Sequence, residues 1–303
     1  TSRLNPQSQF GADVIARSDH VLQNGSGDEL ARCIRQALDE MLGELAARAG
    51  IDRTEIYQIA VVGNTCMHHL FLDISPASLV HAPYNPAVRE NIMAKASDLN
   101  LKIHPEGTVL MLSNIAGFVG ADTVGCLIAC DMEHRAKMTL MIDIGTNGEM
   151  VLGNKKRMIT CSTAAGPAFE GAKIACGMRG AKGAVDHIEM KEGKIVYSTI
   201  GNAKAVGICG SGLMDIVAML LKEGFIEDTG RLMDPDELET EQAIANQDRI
   251  IKVDGKNAFK ITEDVYLTQK DIGEVQQAKA AIAAGIILLC KKMGIEIEDI
   301  EEI

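Results

Sequence analysis

The sequence contains no tryptophan, and only four tyrosines and six phenylalanines occur among its 303 residues. Proteins that bind single-stranded nucleic acid stack bases on aromatic side chains, so this composition disfavours that class. A basic excess is lacking too, because 30 Lys and Arg stand against 42 Asp and Glu, giving a net charge of -12. A phosphate backbone attracts cationic proteins. We therefore expect no nucleic-acid partner.

Cysteine pairing motifs and long apolar runs are also missing. None of the eight cysteines forms a Cys-x-x-Cys pair, which argues against a zinc ribbon, a disulfide framework and an iron–sulfur site in this chain. No apolar run approaches the roughly 18 residues of a membrane span, and the first ten residues lack a signal-peptide pattern. We expect a cytoplasmic protein without a membrane partner, with enough apolar residues to fill two cores.

The apolar pattern alternates strands with helices. Short apolar runs predict buried strands over 56–62, 109–112, 138–144 and 195–200. Apolar residues at helical spacing predict one helix that ends near Gly50 and others over 115–130, 212–223 and 268–293. Ser26 and Glu29 have the spacing of a capping box for the first helix, and Thr268 is the predicted N-cap of the last.

A charged segment at 133–137 predicts a boundary between two domains, residues 1–134 and 135–303. After it, two short strand patterns over 149–152 and 157–160 flank a Gly-Asn turn, which predicts an antiparallel hairpin. Alternating strands and helices together with this hairpin predict an α/β fold with mixed sheets.

A hairpin tip is predicted over 143–149, Asp-Ile-Gly-Thr-Asn-Gly-Glu. Its two glycines would let backbone N–H groups converge on an anion, beside the Thr146 hydroxyl and the Asn147 amide. Asp143 and Glu149 would then hold hydrated Mg²⁺ or orient a water, since magnesium sites combine carboxylates with phosphate oxygens. A polar hairpin turn without a ligand fits the same residues.

A second glycine-rich run over 207–212 leads directly into the helix predicted from Gly212. Glycines at a helix N-terminus expose free N–H groups at the positive end of the helix dipole, which suits phosphate. The order of residues is neither a Walker A motif nor a dinucleotide fingerprint. Asp215 could approach a metal, although a capping role is the simpler expectation.

The small-residue run over 161–171 would leave its backbone and hydroxyls accessible, as a ligand- or partner-contacting surface requires, but a close-packed turn fits equally. His68 and His69 are neighbours, so on a helix their side chains point about 100° apart and cannot chelate one metal together. We expect one of them to pack in the core and the other to face solvent.

Several runs together resemble one known family. The hairpin run and the later glycine-rich helix start resemble the acetate kinase, sugar kinase, Hsc70 and actin superfamily. Further runs are similar to the C-terminal domain of the reductive activators of corrinoid proteins: 5–7 with 11–15, 63–65 with Met67 and His69, 116–122, 165–171, 207–212 and 268–272. The similarity extends over nearly the whole chain.

The resemblance implies two ribonuclease-H-like halves around ATP and Mg²⁺, the first half lacking its opening hairpin. It implies ATP-dependent reduction of a corrinoid protein from Co(II) to Co(I), the electron coming from a 2Fe–2S ferredoxin-like domain in cis that is absent here. The implied nucleotide-binding residues are Asp143, Gly145, Thr146, Asn147, Gly148, Gly166, Glu170, Gly210, Ser211, Gly212 and Asp215. Asp143 and Glu149 would be catalytic, with Asp143 binding Mg²⁺ through water.

The hydroxyls of Ser162 and Thr163 are the predicted groups that face the cobalt of the docked corrinoid partner. The missing hairpin, the missing ferredoxin-like domain and the end at Ile303 in an apparent strand indicate a fragment. Two alternatives stay open: a small-molecule kinase of the same superfamily, with Asp143 or Asp215 as base, and a non-catalytic docking module. A homodimer is a further possibility that the sequence leaves open.

Overall fold

The structure is a computed structural model that describes residues 1–11 and 13–303. The run over 11–15 that contributes to the family resemblance includes Ala12, which lies outside the described residues. The chain divides into two compact units. The first comprises residues 1–137 and 154–157, and the second comprises residues 138–153 and 158–303.

The first unit combines a three-stranded sheet with five helices among its described residues. Its helices are α1 (Val14–Asn24), α2 (Asp28–Ala49), α3 (Thr65–Leu72), α4 (Ala77–Val80) and α5 (Ala121–Ala129). Its strands are β1 (Gln58–Val61), β2 (Ile92–Lys95) and β3 (Thr108–Met111), in the order β1-β3-β2. β1 runs parallel to β3, and β2 runs antiparallel to it. The sheet is therefore mixed.

Burial along α2 follows its apolar spacing. Ile34, Leu38 and Leu42 pack against a core that includes Val109 and Met111 of β3. The helix ends where predicted, because Gly50 adopts a left-handed conformation with φ 68°. The predicted capping box is wrong: Gly27 is the N-cap, and the Ser26 hydroxyl accepts only the nearby Asp28 N–H.

The helix predicted over 115–130 is shorter than expected and begins only at Ala121. Residues before it form a tight turn in which Ala116 and Val119 exchange backbone hydrogen bonds. A Cβ on Gly117 would lie 2.0 Å from the carbonyl oxygen of Tyr84. That close approach requires glycine, and its cause lies in a segment distant along the chain.

The prediction that His68 or His69 faces solvent is wrong, because both are buried, with relative exposures of 1% and 0%. Both lie in α3, where His69 Nδ1 lies 2.7 Å from the Thr65 carbonyl and Nε2 accepts the Ala87 N–H. Burial lowers the pKa of His69 and lowers that of His68 to about 4. Both imidazoles are consequently neutral at pH 7.

The second unit contains nine strands and three helices among its described residues. The strands are β4 (Thr139–Ile144), β5 (Gly148–Asn154), β6 (Arg157–Thr163), β7 (Ala184–Lys191), β8 (Lys194–Thr199), β9 (Gly207–Ile208), β10 (Ile250–Val253), β11 (Lys256–Lys260) and β12 (Tyr266–Thr268). The helices are α6 (Gly210–Lys222), α7 (Glu241–Ala245) and α8 (Gln269–Met293). Three sheets result, in the orders β4-β5-β6, β8-β7-β9 and β10-β11-β12.

Two hydrophobic cores stabilise this unit. In one, Leu140, Met150 and Leu152 of the first sheet pack with Leu289 and Cys290 of α8. In the other, α6 packs with the remaining two sheets, and Phe225 and Phe259 meet edge-on with ring centroids 5.1 Å apart. The predicted α/β class with mixed sheets is thereby confirmed, since β7 pairs antiparallel with β8 and parallel with β9.

Helix α8 begins as predicted, with Thr268 as N-cap in a capping box with Asp271. Among the described helices, it is the one that is long and apolar enough to cross a membrane. Core helices of other proteins meet the same criterion of length and composition. One face of the helix packs against the β4-β5-β6 sheet, where a Cβ on Gly285 would fall 2.2 Å from Met150 Cε and 2.8 Å from Thr163 Cγ2. At the β4 edge of the same sheet, Glu302 forms a β-bridge with Thr139.

Candidate functional site

The hairpin β4–β5 carries two carboxylates on one face of the sheet. Asp143 pairs directly with Glu149 across the two antiparallel strands. Directly opposed residues of an antiparallel pair project from the same side, with their Cβ atoms about 5 Å apart. Like charges at such positions repel each other unless a cation lies between them. Asp143 and Glu149 therefore form one acidic pair.

Ser162 and Thr163 are consecutive residues of β6, so they project from opposite faces of the sheet. The Ser162 hydroxyl donates to Glu149 Oε1 at 3.0 Å, which places it on the face of the acidic pair. The Thr163 methyl faces α8 near Gly285, and its hydroxyl donates to the Gly148 carbonyl at 3.3 Å. Of the two predicted partner-facing hydroxyls, Ser162 is the one beside the carboxylates.

The turn between the strands, residues 145–147, is held by its own backbone. The Gly145 N–H donates to the Asn147 carbonyl at 2.9 Å, and the Gly166 N–H donates to the Thr146 carbonyl at 2.8 Å. The Gly145 amide, predicted to face an anion, is thus bonded within the turn, and the Gly166 amide connects the turn to residue 166. The Thr146 hydroxyl donates to Glu170 Oε2 at 2.7 Å and so joins the turn to residue 170.

Helix α8 supports the hairpin from the opposite face. A Cβ on Gly148 would lie 2.9 Å from Thr163 Oγ1 and 3.3 Å from Ile282 Cγ1 of α8. Glycine at 148 therefore allows the strand and helix to approach closely.

The Cys161 thiol of β6 lies near the same hairpin. Burial, with the Glu149 charge as a second cause, raises the pKa of this thiol, so the cysteine stays protonated at neutral pH.

The second predicted loop supplies the start of α6. This helix begins at Gly210, and its N-cap residue Cys209 makes no side-chain capping hydrogen bond. Uncapped N–H groups at a helix start form a favourable site for an anion. Ser211 is exposed, and its hydroxyl donates to the Asp186 carbonyl at 2.9 Å.

Gly210 and Gly212 are required by packing. A Cβ on Gly210 would lie 2.1 Å from the Phe169 carbonyl oxygen, and one on Gly212 would lie 2.1 Å from that of Val185. The predicted reason for these glycines was exposure of N–H groups. The structure adds a steric reason, because the helix start lies directly against two other backbone segments.

A single 3₁₀ turn, Pro167–Glu170, contacts both loops. Its last residue, Glu170, accepts a hydrogen bond from the Thr146 hydroxyl, and the carbonyl of the preceding residue, Phe169, lies against Gly210. The hairpin tip and the helix start are 64 residues apart along the chain yet share this neighbour. The run predicted as a ligand-contacting surface thus joins the two predicted phosphate loops.

Asp215 does not cap α6, which corrects the simpler expectation. It lies in the second turn of the helix, and its carboxylate is 2.5 Å from Nδ1 of His187 on β7. His187 and Asp186 were missed by the sequence analysis. No pattern in the sequence indicates them. They lie near the start of α6 because the carbonyl of the preceding residue, Val185, lies against Gly212.

Magnesium chemistry fits the acidic pair. Mg²⁺ prefers oxygen ligands and is usually bound through one or two carboxylates plus phosphate oxygens. Asp143 and Glu149 can provide the carboxylates. Elsewhere, one group of three described side chains is close enough to share a metal, Asp131, Glu133 and His134, and all three are exposed.

These features define the fold class of the second unit: an acetate kinase, sugar kinase, Hsc70 and actin (ASKHA) domain. A family model described as the C-terminal domain of RACo, the ASKHA domain, matches residues 137–303. A second model, the RACo middle region, matches residues 1–135. The chain therefore belongs to the RACo family.

Relatives of known activity show the same similarity. The chain is 41% identical over its whole length to the corrinoid activation enzyme RamQ of Eubacterium limosum, covering 52% of that protein. It is 26% identical to the [Co(II) methylated amine-specific corrinoid protein] reductase of Methanosarcina barkeri, covering 96% of this chain and 55% of that protein. The chain spans about half the length of the curated relatives it matches.

A solved structure agrees with the family assignment. The reductive activator for corrinoid, iron-sulfur protein aligns with 99% of this chain and 48% of its own, with a TM-score of 0.83 and 34% sequence identity. This likeness confirms the predicted ASKHA fold class.

Proposed function

We propose that this chain is the nucleotide-dependent part of an enzyme that reductively activates a corrinoid protein. In the reaction, one electron passes from a reduced 2Fe–2S cluster to Co(II) of the corrinoid protein, which becomes Co(I). Family membership and two relatives named for corrinoid activation or reduction support this assignment. They also favour it over the small-molecule kinase and the docking module.

The observation that carries the proposal is the shared contact of the Pro167–Glu170 turn with the hairpin tip and the α6 start. ATP phosphates at these two loops would meet the N–H groups of the helix start and the hydroxyl of Thr146. Asp143 and Glu149 would hold Mg²⁺, directly or through water. The ion supplies positive charge that offsets the charge of the carboxylates and the phosphates.

The electron source is proposed to be a 2Fe–2S domain in the same polypeptide. Both curated relatives are about twice as long as this chain. Nucleotide binding can drive activation only if it stabilises one conformation over another. We therefore assign to this chain the conformational change and to the additional domain the electron.

Ser162 is the residue proposed to face the corrinoid cobalt. Its hydroxyl is half-buried beside Glu149, on the face of the acidic pair. A hydroxyl oxygen is a weak cobalt ligand. A partner docked on this face would thus meet a group whose position depends on Glu149, a proposed magnesium ligand. This arrangement would connect nucleotide binding with the environment of the cobalt.

The test uses the full-length protein, its corrinoid partner in the Co(II) state, a reductant, ATP and Mg²⁺. Visible absorbance should show Co(I) forming only when ATP is present. ATP consumption should depend on the corrinoid protein and should not be stimulated by small metabolites. Co(I) formation at the same rate without ATP, or metabolite-dependent ATP consumption without the partner, would overturn the proposal.

A further inference from the structure

The first unit contains a cavity of about 120 Å³ at the carboxyl ends of two parallel strands. Val61 and Met111, the last residues of β1 and β3, are paired in register, and both line it. Ligands of open α/β sheets bind characteristically outside the carboxyl ends of parallel strands. The cavity therefore lies where this kind of sheet accepts ligands.

His68 lines the cavity and is 1% exposed, and neither of its ring nitrogens has a hydrogen-bond partner among the described residues. Its neighbour His69 is equally buried but has a partner at both nitrogens. Buried polar atoms are nearly always satisfied in folded proteins, and each exception calls for an explanation, such as strain, a functional role or a bound molecule. The contrast between two adjacent histidines points to a molecule in the cavity.

Gln7 also lines the cavity and is 1% exposed. Its amide nitrogen donates to the Leu30 carbonyl at 3.0 Å, while Oε1 has no partner within the described part of the chain. The amide nitrogen thus fixes the side chain and leaves one acceptor free. Gln7 and His68 together offer one fixed acceptor and a neutral imidazole with one donor and one acceptor.

The other described lining residues are glycine or apolar, and none is Asp, Glu, Lys or Arg. One water could bridge the unpaired atoms, but apolar volume stays dry or binds an apolar group. An ion would lose its hydration without gaining a counter-charge. A molecule with an apolar body and an uncharged polar end can pack against the apolar lining residues and also form hydrogen bonds with the unpaired atoms.

We propose that this cavity, lined by His68 and Gln7, binds a small uncharged molecule with an apolar body and an amide or hydroxyl head that both donates and accepts hydrogen bonds. Its size is bounded by the volume: an apolar cavity of about 150 Å³ holds benzene, so about six non-hydrogen atoms fit here. Val62, 49% exposed, lies in the wall and marks the route of entry. This site is separate from the proposed nucleotide site, so its test is independent of that proposal.

Isobutyramide, which has six non-hydrogen atoms, is the probe. It is titrated into the 303-residue chain while NMR follows the ring resonances of His68. The comparison probe is 3-methylbutan-2-one, which has the same shape and accepts but cannot donate, and isobutyrate provides a charged analogue. We expect saturable shifts of the His68 ring with isobutyramide, and at least about tenfold weaker binding of the other two, as loss of a buried hydrogen bond or burial of a charge requires.

His68→Phe keeps a ring in place and removes both nitrogens, and His134→Phe makes the same change at an exposed position of the same unit. We expect His68→Phe to lower isobutyramide affinity at least about tenfold, read from saturable shifts of the Gln7 side-chain amide, and His134→Phe to leave the affinity unchanged. Undiminished binding in His68→Phe would overturn the proposal.

The wild-type probes decide the matter even if His68→Phe does not fold. Equal affinity for the ketone and the amide, or no saturable shift with isobutyramide up to its solubility limit, would show that the cavity is a hydrated or empty packing defect.

Discussion

Asp143 and Glu149 face each other directly across the β4–β5 pair, two carboxylates on one side of a tight hairpin. A folded protein gains no stability from this pairing, because opposed like charges repel each other. The Ser162 hydroxyl donates to Glu149 Oε1 on the same face. Two carboxylates side by side provide the oxygen ligands that Mg²⁺ prefers.

Asp143→Asn should reduce affinity for ATP in the presence of Mg²⁺ by about tenfold or more, because one of two anionic ligands is lost. The same change should leave the melting temperature unchanged or raise it, since it removes the repulsion. Calorimetry of nucleotide binding and thermal denaturation measure the two effects. Glu189→Gln, at an exposed position of β7, is the control; a loss of affinity equal to that of Asp143→Asn would contradict the assignment.

Gly210→Ala and Gly212→Ala should each destabilise the protein by about 1–3 kcal/mol, the usual cost of inserting a group into a packed site. The reason is the 2.1 Å approach of each added Cβ to a backbone carbonyl. Gly273→Ala, in α8, is the matched control, because a Cβ there meets nothing within 4 Å. It should stabilise by about 0.5–1 kcal/mol through helix propensity. Urea denaturation that ranks the three variants alike would refute the steric argument.

Local signals in the sequence predicted the parts of the fold that local chemistry determines. The end of α2 at Gly50 and the N-cap role of Thr268 are set by residues within one helical turn. The late start of α5 was not predictable, because it depends on Tyr84 lying against Gly117. Sequence spacing carries no information about such a distant contact.

The same division applies to the candidate site. The glycine-rich loops and the acidic hairpin were visible as motifs, whereas the partners of Asp215 and Glu170 were not. His187 reaches Asp215 because β7 packs against α6, and Thr146 reaches Glu170 because the Pro167–Glu170 turn folds back over the hairpin. Both contacts arise from tertiary packing.

Ser162→Ala should lower the rate of Co(I) formation with the corrinoid partner while leaving ATP affinity unchanged, if its hydroxyl faces the cobalt as proposed. Thr163→Val is the matched control on the adjacent residue. It keeps the branched shape that packs against α8 and removes only the hydroxyl bonded to the Gly148 carbonyl. Activation rates with the full-length protein and calorimetry with ATP separate the two roles. Equal loss of activation in both variants would assign the effect to sheet packing.

Stability should depend on pH through His68. Burial and the neighbouring His69 lower its pKa to about 4 in the folded chain, against about 6.5 in the unfolded chain. As pH falls below about 6.5 the unfolded chain takes up a proton first, so the free energy of unfolding decreases towards pH 4 and then levels off. This pKa shift corresponds to a loss of at most about 3 kcal/mol in the free energy of unfolding.

His68→Phe removes this contribution. Urea denaturation between pH 7.5 and pH 4 should therefore show the wild type losing stability relative to His68→Phe as the pH falls. His134 gives the opposite sign, because its hydrogen bond to Asp131 raises its pKa. Its stabilising effect is present at low pH and is lost as the pH rises, so the wild type should gain slightly relative to His134→Phe on acidification. A constant stability difference between wild type and His68→Phe across this range would mean that His68 titrates normally and that its ring is solvated.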